Sequence, residues 1–199
     1  MGFFTLEHGR LAYITDFALY GSAVVVLAAF LMIAGPSEHR LEIVSFVTLG
    51  LGGWTAIEYV LHRFVLHGLQ PFRRWHVEHH QRPAALIFTP TILSATLIIV
   101  LVFLPSLLLG DLWRACSLTF GLLTGYLGYA ITHHAVHHWR ADHAWLKKRK
   151  RWHALHHHSE QAGCYGVTSS FWDIVFGSTY QAVRMDAVKQ NKRPKKIKN

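Results

Sequence analysis

Residues 115–138 read ACSLTFGLLTGYLGYAITHHAVHH. The stretch stays apolar long enough to cross a bilayer and then ends in two pairs of histidines. A spanning helix needs about 20 mostly apolar residues. Three further runs have that character: Phe17–Ala34, Leu41–Leu61 with Glu42 and Glu58 near its ends, and Leu86–Leu109 interrupted by Pro90 and Pro105. With Ala115–Thr132 they make four at near-regular spacing, in a chain that is 51% apolar and only 16% charged. A buried core helix can imitate one such run, but four predict an all-α integral membrane protein. At 199 residues the chain has room for one domain rather than two. We place that domain at 1–183 and read 184–199 as a basic, disordered tail.

The net charge of +9 is unevenly spread. The links around Gly35–Arg40 and Gly110–Arg114 hold one arginine each, whereas 62–83 carries Arg63, Arg73, Arg74 and Arg82. Thirteen of the twenty lysines and arginines follow Thr132. By the positive-inside rule this puts both chain ends in the cytoplasm, together with a cap formed by 62–83 and 133–180. Nucleic acid is a poor second reading of the charge and is not expected as a partner, because no aromatic-interleaved basic groove or known module accompanies it. Cys116 and Cys164 form no metal-type pair and no disulfide framework, so they are read as free thiols. No cleavable leader is expected at the N-terminus.

Of sixteen histidines, fourteen lie between His62 and His158. His62 and His67 form one group, and His76, His79 and His80 the next. His133, His134, His137 and His138 form a third, and His153, His156, His157 and His158 a fourth. The charge argument brings all four groups to one face of the membrane, although it made no use of histidine. Residues at i, i+3 and i+4 share a helix face. His76/His79/His80 and His153/His156/His157 therefore each present three imidazoles together. His133/His137 and His134/His138 are equivalent i,i+4 pairs, and spacing alone does not choose between them. His62 and His67 lie about 140° apart on a 3.6-residue helix. They are expected to serve different ions or to straddle the helix end.

So many imidazoles crowded together could not all become charged, and a shared cation removes the conflict because a ligating histidine is neutral. Ten or so nitrogens exceed what one ion can use, so two ions are expected. All-imidazole ligation suits iron, zinc, copper or nickel. Carboxylates that could support the ligands are Glu58, one turn before His62, Glu78, Asp142, Glu160 and Asp173.

The order His-x4-His, His-x2-His-His, His-x3-His, His-x2-His-His resembles the fatty acid hydroxylase superfamily, which includes sterol desaturases, and within it the fatty acid 2-hydroxylase branch. WTAIEYVLHRFVLHG (54–68), GYLGYAITHHAVHH (125–138), KKRKRWHALHH (147–157) and YGVTSSFWDIVFGS (165–178) carry the likeness. The resemblance implies four membrane helices, a cytosolic helical cap and a non-haem dimetal centre. The metal would be iron in the working enzyme, with zinc able to replace it on purification. It implies as ligands His62, His67, His76, His79, His80, His133, His137, His153, His156 and His157. Thr132-His133 matches the start of the third motif, which leaves His134, His138 and His158 outside the set. Of the carboxylates read from the residues, Glu58, Glu78 and Asp173 are the candidates to support such ligands, with a helix-surface or capping role the alternative for each.

The implied reaction hydroxylates a membrane lipid acyl chain with dioxygen. With no His-Pro-Gly-Gly motif and no fused cytochrome b5 domain expected, an external electron-transfer protein would supply the electrons. A compact version of this kind points to a bacterial inner membrane rather than the endoplasmic reticulum. A desaturase or sterol oxidase could use the same centre. A bis-histidine membrane haem protein would leave the two His-x2-His-His groups unexplained. A metal transporter would need ionisable groups inside the spans, and these spans are nearly free of them.

Overall fold

A computed structural model describes residues 9–87, 89–158 and 163–180. The tail 184–199 and Glu160 lie outside them. The described residues are helical: α1 (Arg10–Ala34), α2 (Arg40–Val60), α3 (Phe72–Gln81), α4 (Thr91–Ile98), α5 (Leu104–Leu109), α6 (Leu112–His138), α7 (Ala144–His158) and α8 (Phe171–Val175). Four helical stretches among them are long and apolar enough to cross a membrane: Arg10–Ala34, Ser37–Leu66, Thr91–Leu109 and Leu112–His138. They coincide with the four expected runs but differ at the ends. The third starts at Thr91 because Pro90 stands immediately before its first turn. The fourth continues six residues beyond Thr132, so the histidines of the third group fall within the same helix.

Pro105 does not break the third span. A proline removes one backbone donor and crowds the preceding turn. Here Ile99–Phe103 widens into a π-helical turn in which Leu104 N–H bonds Ile99 O, and the chain re-enters α5 with Pro105 in its first turn. In lipid every backbone group must find a partner within the protein, and the widened turn provides one.

The chain forms two compact units, 1–131 and 132–199. In the first, α2 and α6 cross with their backbones touching. A Cβ on Gly50 would collide with the Leu118 carbonyl, and one on Gly121 with that of Val47. Small residues that admit such close approach are the usual means of packing helices in lipid, where burial of apolar surface gives no drive. Trp54 packs edge-on against Tyr126, with centroids 5.2 Å apart, and Tyr126 against Tyr20 at 4.8 Å.

Asp16 is an ionisable group inside the first span. Starting the first span at Phe17 left Asp16 outside it, but α1 begins at Arg10 and Asp16 is buried within. Its Oδ1 accepts a hydrogen bond from Thr91 Oγ1, and one turn on Tyr20 shares a 2.7 Å hydrogen bond with Ser94. These bonds tie α1 to α4 and are worth about 0.6 kcal/mol each on average in a membrane.

The second unit holds a small core of Ala135, Val136 and Leu146, with Ala141 packed against it, between the end of α6 and α7. Arg149, within the basic run KKRKR, is buried over Trp152, with its guanidinium carbon 5.9 Å from the ring centroid.

Candidate metal centre

In the first unit, nitrogens of His62, His67, His76 and His80 lie within 4.8 Å of one another. His62 and His76 approach Nε2 to Nε2 at 2.9 Å, and His80 and His76 at 3.1 Å. The rings of His67 and His76 meet edge-on at 4.6 Å. His76 and His80 meet because α3 sets them one turn apart. His62 and His67 meet for a reason no 3.6-residue wheel predicts. Leu61–Leu66 is a π-helical turn in which the His67 N–H bonds the His62 carbonyl at 3.2 Å. That i+5 bond stacks residues five apart on one face, and the two rings lie 5.3 Å apart. The expected separation of about 140° is therefore corrected: the pair does close the helix end, but on a single face.

In the second unit, nitrogens of His133, His137 and His153 lie within 4.8 Å of one another. His137 and His153 approach Nε2 to Nε2 at 2.8 Å, and His157 approaches His153 at 3.0 Å. Of the two i,i+4 pairs on α6, His133/His137 joins this set. His134 and His138 stack on each other at 4.6 Å, with His138 exposed. His79 and His156, the middle histidines of the two His-x2-His-His motifs, are buried, with ring centroids 5.7 Å from His76 and 5.8 Å from His153 respectively.

The donor geometry fits metal ions. Two nitrogens each about 2.1 Å from one ion lie about 3.0 Å apart at a right angle and about 3.4 Å apart at the tetrahedral angle. The four contacts of 2.8–3.1 Å match the first case. The charge state fits as well. Burial, then the neighbouring imidazoles, hold His76 and His153 well below the usual histidine range. Burial, then His80 and Arg73, lower His67 to about 4. Neutral imidazole is the ligating form.

The supporting groups divide by motif. Glu58 is buried on α2 one turn before His62. Glu78 pairs with Arg82 at 3.3 Å on the half-exposed face of α3. Asp173 is fully buried, and its oxygens accept Tyr165 N–H at 2.9 Å, Gly166 N–H at 2.8 Å and Ser178 Oγ–H at 2.8 Å. The loop so tied begins at Gly163, whose carbonyl lies 2.8 Å from His156 Nδ1. A proton on Nδ1 donated to that carbonyl leaves Nε2 as the donor to an ion. Asp173 therefore acts on His156 through a backbone loop, a role that sequence spacing cannot reveal. The loop closes with Gly177 at a φ of 63° after α8. Gly177 N–H bonds Ile174 O, and Ser178 N–H bonds Asp173 O at 2.8 Å, which is the capping arrangement that favours glycine. Cys164 lies on the same loop, and burial pushes its thiol up to about 11, so it stays protonated.

A model of the family described as fatty acid hydroxylase matches residues 47–178. The dihydroceramide fatty acyl 2-hydroxylase FAH1 of Arabidopsis thaliana is 37% identical over 149 residues, covering 69% of this chain and 61% of that protein. The ceramide very long chain fatty acid hydroxylase scs7 of Schizosaccharomyces pombe is 32% identical over 68% of this chain and 42% of its own. The chain thus spans only part of the length of these relatives. Among solved structures, full-length scs7p with only its hydroxylase domain visible superposes with a TM-score of 0.68 at 25% identity, over 86% of this chain and 67% of that one.

Proposed function

We propose that this chain, which belongs to the fatty acid hydroxylase family, inserts one oxygen atom into a C–H bond of a membrane lipid's acyl chain. The reaction consumes dioxygen, two electrons and two protons, and yields the alcohol and one water. The observation that carries this reading is the pair of four-imidazole sets, each built at the end of a helix long enough to cross a membrane. His62, His67, His76 and His80 would hold one iron, and His133, His137, His153 and His157 a second, with His79 and His156 supplying further donors. Bound iron supplies the activation of dioxygen that no side chain can provide.

The protein's own contribution is placement. The two sets gather imidazole nitrogens close together, the Gly163 carbonyl fixes the His156 tautomer, and the spans keep the lipid's acyl chain in the same layer as the protein. The basic segments favour a cytoplasmic position for the histidines, where a separate carrier protein could deliver electrons. The names of the relatives make carbon 2 of the acyl chain the first position to inspect.

The test is mass spectrometry of total lipids from cells expressing the wild-type chain or His156→Ala, with oxygen and a compatible electron donor present. A species one oxygen heavier, found only with wild type, is expected, and fragmentation would locate the new hydroxyl. A wild-type-only species two hydrogens lighter would make the enzyme a desaturase working with the same histidines. Identical lipid profiles from iron-loaded protein with a reducing partner would overturn the reading.

A further inference from the structure

The second unit carries an exposed apolar edge that the metal centre does not use. In FWDIVF (171–176), Phe171, Ile174, Val175 and Phe176 are 56%, 67%, 53% and 56% exposed, while Asp173 alone turns fully inward. An α8 built to face water would reverse that pattern. Large apolar side chains gathered on one surface mark a binding face. Elsewhere on the unit Trp139 and Trp145 are half exposed, and Arg140, Lys147, Lys148 and Arg151 are exposed. Exposed tryptophan and phenylalanine with lysine and arginine is the composition of surfaces that lie in the headgroup layer of a bilayer.

The occupant is argued from length and charge. Helix α6 runs unbroken for 27 residues. At 1.5 Å per residue it is about 40 Å long, against a hydrocarbon core of about 30 Å. Its final turns, where the second unit begins, therefore emerge into the headgroup layer rather than into bulk water. Each basic side chain held there gains about 1 kcal/mol from anionic lipid.

We propose that α8 is an interfacial anchor: Phe171, Ile174, Val175 and Phe176 insert among the lipid headgroups of the membrane that the chain spans, with anionic phospholipid as the preferred partner. The proposal rests on the spanning helices and not on the catalytic reading. It has a structural corollary. The one inward residue of α8 is Asp173, which ties the loop starting at Gly163, so the element that touches lipid is the same one that orients His156.

The experiment uses the full chain in nanodiscs of phosphatidylcholine and phosphatidylserine, with Ile174→Cys carrying an environment-sensitive fluorophore. Cys116 and Cys164 are both buried, and unlabelled wild type shows whether they stay unreactive. A second label at Phe171→Cys guards against a local effect of the first, and both side chains are exposed, so neither substitution opens the core. Expected are blue-shifted emission, several-fold stronger quenching by headgroup-region nitroxide lipid than by aqueous iodide, and a shift toward iodide quenching when phosphatidylserine is omitted. Quenching by iodide with no response to nitroxide lipid at both positions would overturn the proposal. Protection from both quenchers would overturn it too, because a protein neighbour and not lipid would then cover α8.

Discussion

The two histidine sets are near copies built by different backbones. Each takes two imidazoles from the end of a long helix and two from the outer positions of a His-x2-His-His motif, and the nitrogens meet at 2.9 and 3.1 Å in one and 2.8 and 3.0 Å in the other. The second set uses plain α-helix, with His133 and His137 one turn apart. The first has one residue more between its helix-end histidines, and the π-helical turn Leu61–Leu66 absorbs it. Donor geometry is thus the shared quantity, and backbone hydrogen bonding is the adjustable one. The sets also differ in their support. The loop tied by Asp173 belongs to the second unit, while among the described residues the first unit has the buried Glu58 beside its π-turn.

The largest expected effect comes from removing the central histidine of either set. His76 and His153 each contact two or more of their neighbours, and both are buried. His76→Ala and His153→Ala should each lower bound iron from two ions per chain to one and abolish lipid oxidation. Elemental analysis of purified, iron-loaded protein checks this. If either variant kept both ions, its set would not be a metal site. Loss of both ions in each case would show that the two sets bind as one unit and break the comparison.

A smaller and one-sided effect is expected from Asp173→Asn. Tyr165 N–H and Gly166 N–H bond different oxygens of Asp173, and the amide nitrogen that replaces one of them cannot accept. A buried donor left without its acceptor costs about 1–3 kcal/mol, and groups that orient a ligand from behind are worth about 10–100-fold in metal affinity. Chelator titration should therefore remove one ion well before the other. Release of both ions at the wild-type chelator concentration would assign Asp173 to folding of the loop alone.

Residue type and spacing carried most of this architecture because apolar length and i,i+4 spacing are properties of the sequence. The four spans and the convergence of His76 with His80, and of His153 with His157, were legible for that reason. Asp16 fell outside the run that began at Phe17, because apolar composition does not show that Thr91 on another helix meets it. Arg149 was lost in a basic run because burial of one member depends on Trp152 and the α7 face, not on composition. His62 and His67 defeated the helical wheel because a wheel assumes the very hydrogen-bond spacing that the π-turn changes.

That last point gives the finest test. Phe64 is exposed in the middle of the π-turn, and deleting it leaves four-residue spacing, as between His133 and His137. If the wide turn only accommodates an extra residue, the shortened chain reverts to α-helix. The two imidazoles then remain one turn apart, and the register of the flanking residues is kept. Bound iron should stay at two ions per chain, with an affinity change below about tenfold, smaller than that expected for losing an orienting group. Loss of one ion would mean that the π-turn sets a ring orientation that an α-turn cannot supply, which is the role such bulges often take at functional sites. The two sets would then be alike in composition and distinct in function, and the extra residue in the first motif would be part of its chemistry.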